Sequence, residues 1–183
     1  MKQVNTDFWH ATISLLEKLS DELGEIKRPV SAVLAGDAAF HYYTLLGVPD
    51  SLDINFDSGI IIRPDFEVKF YSNCIEQTLN INRKYNDVNE FVFTDSLTAI
   101  DIGLIGQNRN IRLKVISALD LAVSRLSDVV PDSTRIADIL KLSEVGGFSK
   151  NEFQQRTEWA FSQYYGDTNR FYKRLSDVSN ILK

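Results

Sequence analysis

An α/β fold, with a mixed sheet and flanking helices toward the N-terminus and a helical C-terminal half, is what this sequence of 183 residues predicts. Three observations carry that expectation. Short apolar or alternating runs follow one another between Ser31 and Ile116. From Ser117 onward apolar residues recur at steps of three and four. No Gly-, Pro- or Ser-rich linker parts the two patterns, so 1–183 reads as a single domain, an α/β core over 1–116 with a helical half over 117–183 packed on it.

Each element has a local cause. Phe8, Ile13, Leu15, Leu16, Leu19 and Leu23 form the stripe of an amphipathic helix beginning near Thr6 or Asp7, which Gly24 and Pro29 end. Ser31–Ala35 is a short apolar run before Gly36, as in a buried strand turning tightly, and Ala38–Leu46 reads as a short helix. Alternation predicts one strand over Leu52–Phe56 and hairpins over 66–71 with 78–83, and over 99–105 with 111–116. Ser117 with Asp120 resembles a capping box opening a helix to about Ser127. Pro131 suits the first turn of the next helix, which Gly146-Gly147 closes. Ser149 with Glu152 is a second capping box, and the last helix runs from about Thr168 to Leu182.

Composition narrows the function classes. A formal charge of −5 and a pI near 5.1 argue against a broad nucleic-acid-binding surface. The single cysteine, Cys74, precludes an intrachain disulfide and a cysteine zinc cluster. The opening residues lack the uninterrupted apolar core of a secretion signal, and no stretch reaches the roughly 18 apolar residues that span a bilayer. A cytoplasmic protein without membrane attachment is the expectation. His10 and His41 have no metal-ligand spacing, and neither a phosphate-loop nor a nucleophile-elbow motif is present.

The most informative segment is a strand ending in Ala35-Gly36-Asp37, a short helix, then a strand carrying Asp53-Ile54-Asn55. A glycine at a strand end lets backbone approach a phosphate, and residues spaced by one on a strand share a face. Polymerase-beta-like nucleotidyltransferases use this order. Leu34-Ala-Gly-Asp-Ala-Ala39, Ser51-Leu-Asp-Ile-Asn-Phe56, Ile60-Ile-Ile-Arg-Pro-Asp65, Asn82-Arg-Lys-Tyr-Asn86 and Val115-Ile-Ser-Ala-Leu-Asp-Leu-Ala-Val-Ser-Arg-Leu126 follow in sequence, extended by Arg135-Ile-Ala-Asp138 and Tyr164-Tyr-Gly-Asp167. In these motifs the chain resembles a bacterial family of uncharacterised nucleotidyltransferase-fold proteins, distantly similar to abortive-infection-type nucleotidyltransferase toxins of toxin-antitoxin systems.

The resemblance implies transfer of a nucleotidyl group from a nucleoside triphosphate to an RNA or protein acceptor. It implies Asp53 and Asp101 as catalytic acids, with Asp53, Asn55 and Asp101 around Mg2+ if the site is active. Gly36, Asp37, Arg125 and Asp138 would meet the nucleotide; Asn82 stands where some relatives carry a further acid, with Asp101 the alternative third carboxylate, and the sequence leaves that choice open. The residue types depart from a working site at Asp37, where an acid faces the phosphate position, and at Asn55, where an amide replaces an anionic ligand. The alternative is a non-catalytic interaction protein that keeps the fold, such as a toxin-antitoxin component or a homo-oligomer. Arg125 is expected off the apolar stripe of its helix, facing the Gly36–Asp53 concavity where its loss would cost little stability, and with Asp138 it reads equally as a surface or an interhelix salt bridge.

Overall fold

The computed structural model describes residues 6–182 apart from 58, 64, 73, 83–97, 128–129, 131, 163 and 165. Its described residues form an α/β protein of two compact units, one holding residues 6–82 and 99–115, the other Thr98 and 116–182. The change of unit at 115–116 falls within a residue of the change of period in the sequence. Among the described residues no helix is long and apolar enough to cross a membrane.

The first unit contains helices α1 (Thr6–Glu22) and α2 (Gly36–Thr44) and strands β1 (Val30–Leu34), β2 (Ser51–Leu52), β3 (Ile54–Phe56), β4 (Glu67–Ser72), β5 (Ile75–Ile81), β6 (Ala99–Ile105) and β7 (Ile111–Ile116), the last residue of β7 lying in the other unit. Four strands make a mixed sheet ordered β3-β1-β7-β6, with β1 antiparallel to β3 and parallel to β7. Three make a second mixed sheet, β2-β5-β4, with β5 parallel to β2 and antiparallel to β4. The single strand expected over Leu52–Phe56 is therefore two. The chain leaves one sheet after Leu52 and joins the other at Ile54, with Asp53 at the step.

Burial explains the alternation. Ala32, Leu34, Ile54, Leu79, Ile81, Ile111, Leu113 and Val115 are buried at every second position, and Phe8, Leu15, Leu16 and Leu19 of α1 are buried with them. The Phe8 ring stands edge-on to His41 of α2 at 4.9 Å and to Phe70 of β4 at 6.0 Å. Complete burial of such a side chain contributes roughly 1.5–3 kcal/mol. Asn110, buried before β7, donates its amide to the carbonyls of Ser20 (2.9 Å) and Gly24 (2.7 Å), which closes the C-terminal end of α1. Helix α2 starts at Gly36, two residues earlier than the sequence suggests, and ends in left-handed Leu45, whose N–H reaches the His41 carbonyl.

The second unit contains α3 (Ala118–Ser124), α4 (Asp132–Gly146), α5 (Lys150–Phe161) and α6 (Thr168–Ile181). Ser117 caps α3 by accepting the N–H of Asp120 at 3.1 Å. The box is not reciprocal, because the Asp120 carboxylate is turned to Thr98 and Arg156. At α5 both halves of the Ser149–Glu152 box are formed. A β-carbon at Gly146 would lie 2.6 Å from that of Ala118, so α3 and α4 approach at a contact that excludes any side chain there. Pro131 lies outside the described residues.

Candidate functional site

The segment that steps between the sheets assembles the site in the first unit. Parallel register pairs Ser51 with Asn80 and Leu52 with Ile81, and one residue farther along both chains Asp53 stands beside Asn82. The Asn82 N–H donates to the Leu52 carbonyl at 2.9 Å, and its side-chain amide donates to Oδ1 of Asp53 at 2.8 Å. On the other side, the Ala35 N–H donates to the Asp53 carbonyl at 2.8 Å. Asp53 is thereby fixed to the ends of β1 and β5 at once.

Gly36 follows β1 and opens α2 with φ at 55°, a left-handed conformation that favours glycine. A β-carbon at Gly36 would lie 1.9 Å from Oδ2 of Asp53 and 2.7 Å from its carboxyl carbon. The sequence reads this glycine as the place where backbone meets phosphate. In the structure the close neighbour of its Cα is the Asp53 carboxylate. Asp37, exposed in the first turn of α2, adds a second negative charge, which suits the positive end of a helix dipole and opposes a phosphate.

The other expected site residues are placed separately. Asn55 lies on β3 opposite Val33, one buried residue, Ile54, beyond Asp53. Asp101 lies on β6, three strand steps from β3 in the four-stranded sheet, roughly 14 Å across at about 4.8 Å per step. Its carboxylate accepts from Arg112 Nε at 3.0 Å, and that guanidinium holds Asp101 below the usual carboxylate range. Of the two positions left open for a further acid, Asn82 is the one the fold brings to Asp53; Asp101 is not in that cluster. Among the described residues, no group of three or more His, Cys, Asp or Glu side chains is placed to hold a metal ion. The described residues around Asp53 do not by themselves fit a two-metal magnesium centre, whose hard cations want several oxygen anions in one shell.

Arg125 and Asp138 belong to the second unit, where they face each other at 3.9 Å between the end of α3 and α4. Arg135 takes the same carboxylate at 2.7 Å. The Arg125 side chain is only 4% exposed, so of the two salt-bridge readings the pair is the interhelix one, and removing it is not the cheap loss expected of an exposed pair. Two features escaped the sequence reading. Asp120, 1% exposed, accepts from the Thr98 N–H (2.8 Å), the Thr98 hydroxyl (2.6 Å) and Arg156 Nε, while the Arg156 guanidinium lies 4.1 Å over the Trp159 ring. Arg174, also 1% exposed, binds Asp132 and three backbone carbonyls. A charge on an otherwise apolar helical stripe was the available signal for both. Comparison with protein-family models, curated protein sequences and solved structures returns no match for this chain.

Proposed function

We propose that this chain is a nucleotidyltransferase-like domain retained as a non-catalytic interaction protein, which binds a protein partner or a second copy of itself, as a toxin-antitoxin component does. One observation carries the reading: the open face of Gly36, where a triphosphate would approach in an active relative, is covered by the Asp53 carboxylate. A carboxylate there repels phosphate oxygens, and Asp37 beside it adds to that repulsion. The strand–turn–helix order through Gly36, with Asp53 on the following strand, supports the likeness of the fold. Asn55 and Asn82, neutral where anionic ligands would stand, support the loss of magnesium-dependent transfer.

The test is calorimetry of the folded protein with each of the four ribonucleoside triphosphates, with and without Mg2+, alongside transfer of a labelled nucleotidyl group to RNA and protein acceptors. The expected result is no magnesium-dependent binding and no transfer. Magnesium-dependent binding that Asp53→Asn abolishes, or label transferred to any acceptor, would establish the catalytic alternative in its place.

A further inference from the structure

We infer that Asp101 guards the outer edge of the four-stranded sheet and keeps β6 from pairing with the β6 of a second copy. An outermost strand carries N–H and C=O groups with no neighbour on one side, a template for another chain. Among the described residues the two sheets end in β2, β3, β4 and β6. Strands β2 and β3 have two and three residues, too few to template a ladder. Strand β4 bears exposed Glu67 and Lys69, charges that hold water at the edge. Strand β6 has neither protection. It runs for seven residues and carries Ile100, Ile102, Leu104 and Ile105, with Ile100 46% and Leu104 37% exposed. Only Asp101 interrupts this run with a charge.

Three consequences of Asp101 oppose a second strand there. Its half-exposed carboxylate accepts from Arg112 on β7. A chain laid along β6 would cover part of that ion pair, and the water lost from two charges offsets their attraction. A two-fold axis would also bring a second Asp101 to the same seam, and like charges across a strand pair are destabilising. The Gly103 N–H, finally, is turned to the Asp101 carboxylate, so one donor of the strand is satisfied within it. Gly103 has φ at 128°, outside the extended range of a strand, and a β-carbon there would meet nothing within 4 Å. Its backbone therefore departs from the ladder where the carboxylate takes its N–H, not where space demands a glycine. Such a local kink turns an edge away from a partner.

The experiment is sedimentation equilibrium of the parent chain and its variants over about 5–200 µM, with circular dichroism to show that each is folded. Asp101→Thr is expected to rise toward twice the parent's mass as concentration increases. Adding Ile100→Lys should return it to the parent's mass, because a lysine protects the edge again. Asp50→Thr, which removes one charge from an exposed bend, should keep the parent's mass throughout. Asp101→Thr that stays at the parent's mass overturns the inference, as does association that Ile100→Lys leaves in place or that Asp50→Thr reproduces. If Asp101→Thr does not fold, Asp101→Ser is read in its place. A parent that already associates and is dispersed by Ile100→Lys overturns it too, since β6 is then an open interface. A parent that associates through another surface, unaffected by Ile100→Lys, agrees with it. Neither nucleotide binding nor transfer enters these readings, so the non-catalytic reading holds or fails separately.

Discussion

Nη1 of Arg174 donates to the backbone carbonyl of Arg125 at 3.0 Å, so the arginine of one helix closes the C-terminal end of another. The same guanidinium reaches the carbonyls of Leu126 (3.4 Å) and Val130 and, through Nε, Asp132 at 2.8 Å. One side chain on α6 thereby holds the end of α3 to the start of α4. Arg174→Met should lower unfolding stability by about 3–5 kcal/mol, because it leaves buried carbonyls and a carboxylate without their donor. Arg174→Lys should not restore it, since a point-like ammonium cannot span that fork. Urea unfolding measures both, and a loss under about 1 kcal/mol for Arg174→Met would contradict the assignment.

Asp132 gives the same contact a pH dependence. Lys173 and then Arg174 bond to its carboxylate and pull its pKa from the ordinary 3.8 to about 2. A pKa lowered by folding contributes stability that is full above the unfolded value and disappears as pH falls through the folded one. The stability gap between the parent and Asp132→Asn should therefore be constant above about pH 5 and close between about pH 4 and 2. Unfolding midpoints taken across that range check it; a gap that widens toward acid would reverse the sign.

Gly36 separates two costs that usually come together. Gly36→Ala should lose roughly 2–3 kcal/mol, from the left-handed backbone and from displacement of the Asp53 carboxylate. Gly24 has a similar φ of 63° and nothing within 4 Å of its missing β-carbon, so Gly24→Ala should show the backbone cost alone, about 1–2 kcal/mol. Adding Asp53→Ala to Gly36→Ala should recover only the part of the difference due to the carboxylate, because the Asp53 β-carbon stays 2.9 Å from the added methyl. If the two single glycine exchanges cost the same, Asp53 is not held against Gly36.

Asp138 is shared by Arg125 and Arg135, so its removal should be felt twice. Asp138→Asn is expected to cost about 3–5 kcal/mol, with Arg125→Ala above about 2 kcal/mol, in contrast to the small loss that an exposed pair would give. Denaturant midpoints for the two single variants and their double would show strong non-additivity if the carboxylate joins them.

The strands were legible because Ile54, Leu79, Ile81, Ile111 and Leu113 obey a period of two wherever one face is buried, and the first strand because Ser31–Ala35 is a short apolar run before Gly36. The Ser149 and Glu152 box was legible because both its partners lie within one turn. Asp53 could be named, but the sequence could not choose between Asn82 and Asp101 as its neighbour. The meeting of Asp53 with Asn82 depends on parallel pairing of β2 with β5, and residue alternation carries no record of which strand lies beside which. The sequence leaves Arg125 between a surface and an interhelix salt bridge, and does not single out Arg174, for another reason. Arginine is usually exposed, and only the carboxylates and carbonyls gathered around these two show that they belong inside.

The step at Asp53 also bears on how the first unit opens and closes. Successive peptide groups there are bonded in different directions, the Leu52 carbonyl to the end of β5 and the Asp53 carbonyl to the end of β1. A fluctuation that frees β3 from the four-stranded sheet must pull on β2 in the other, so neither sheet can fray from this segment by itself. Amide hydrogens of Ala35 and Asn82 should consequently exchange with solvent through one common opening, as members of a single cooperative unit. Both parallel pairings, Leu52 with Ile81 and Leu34 with Val115, wait for chain far downstream. Closure of this step then belongs to the late, loop-closing part of folding, and the joint that holds the site is among the last pieces of the unit to form.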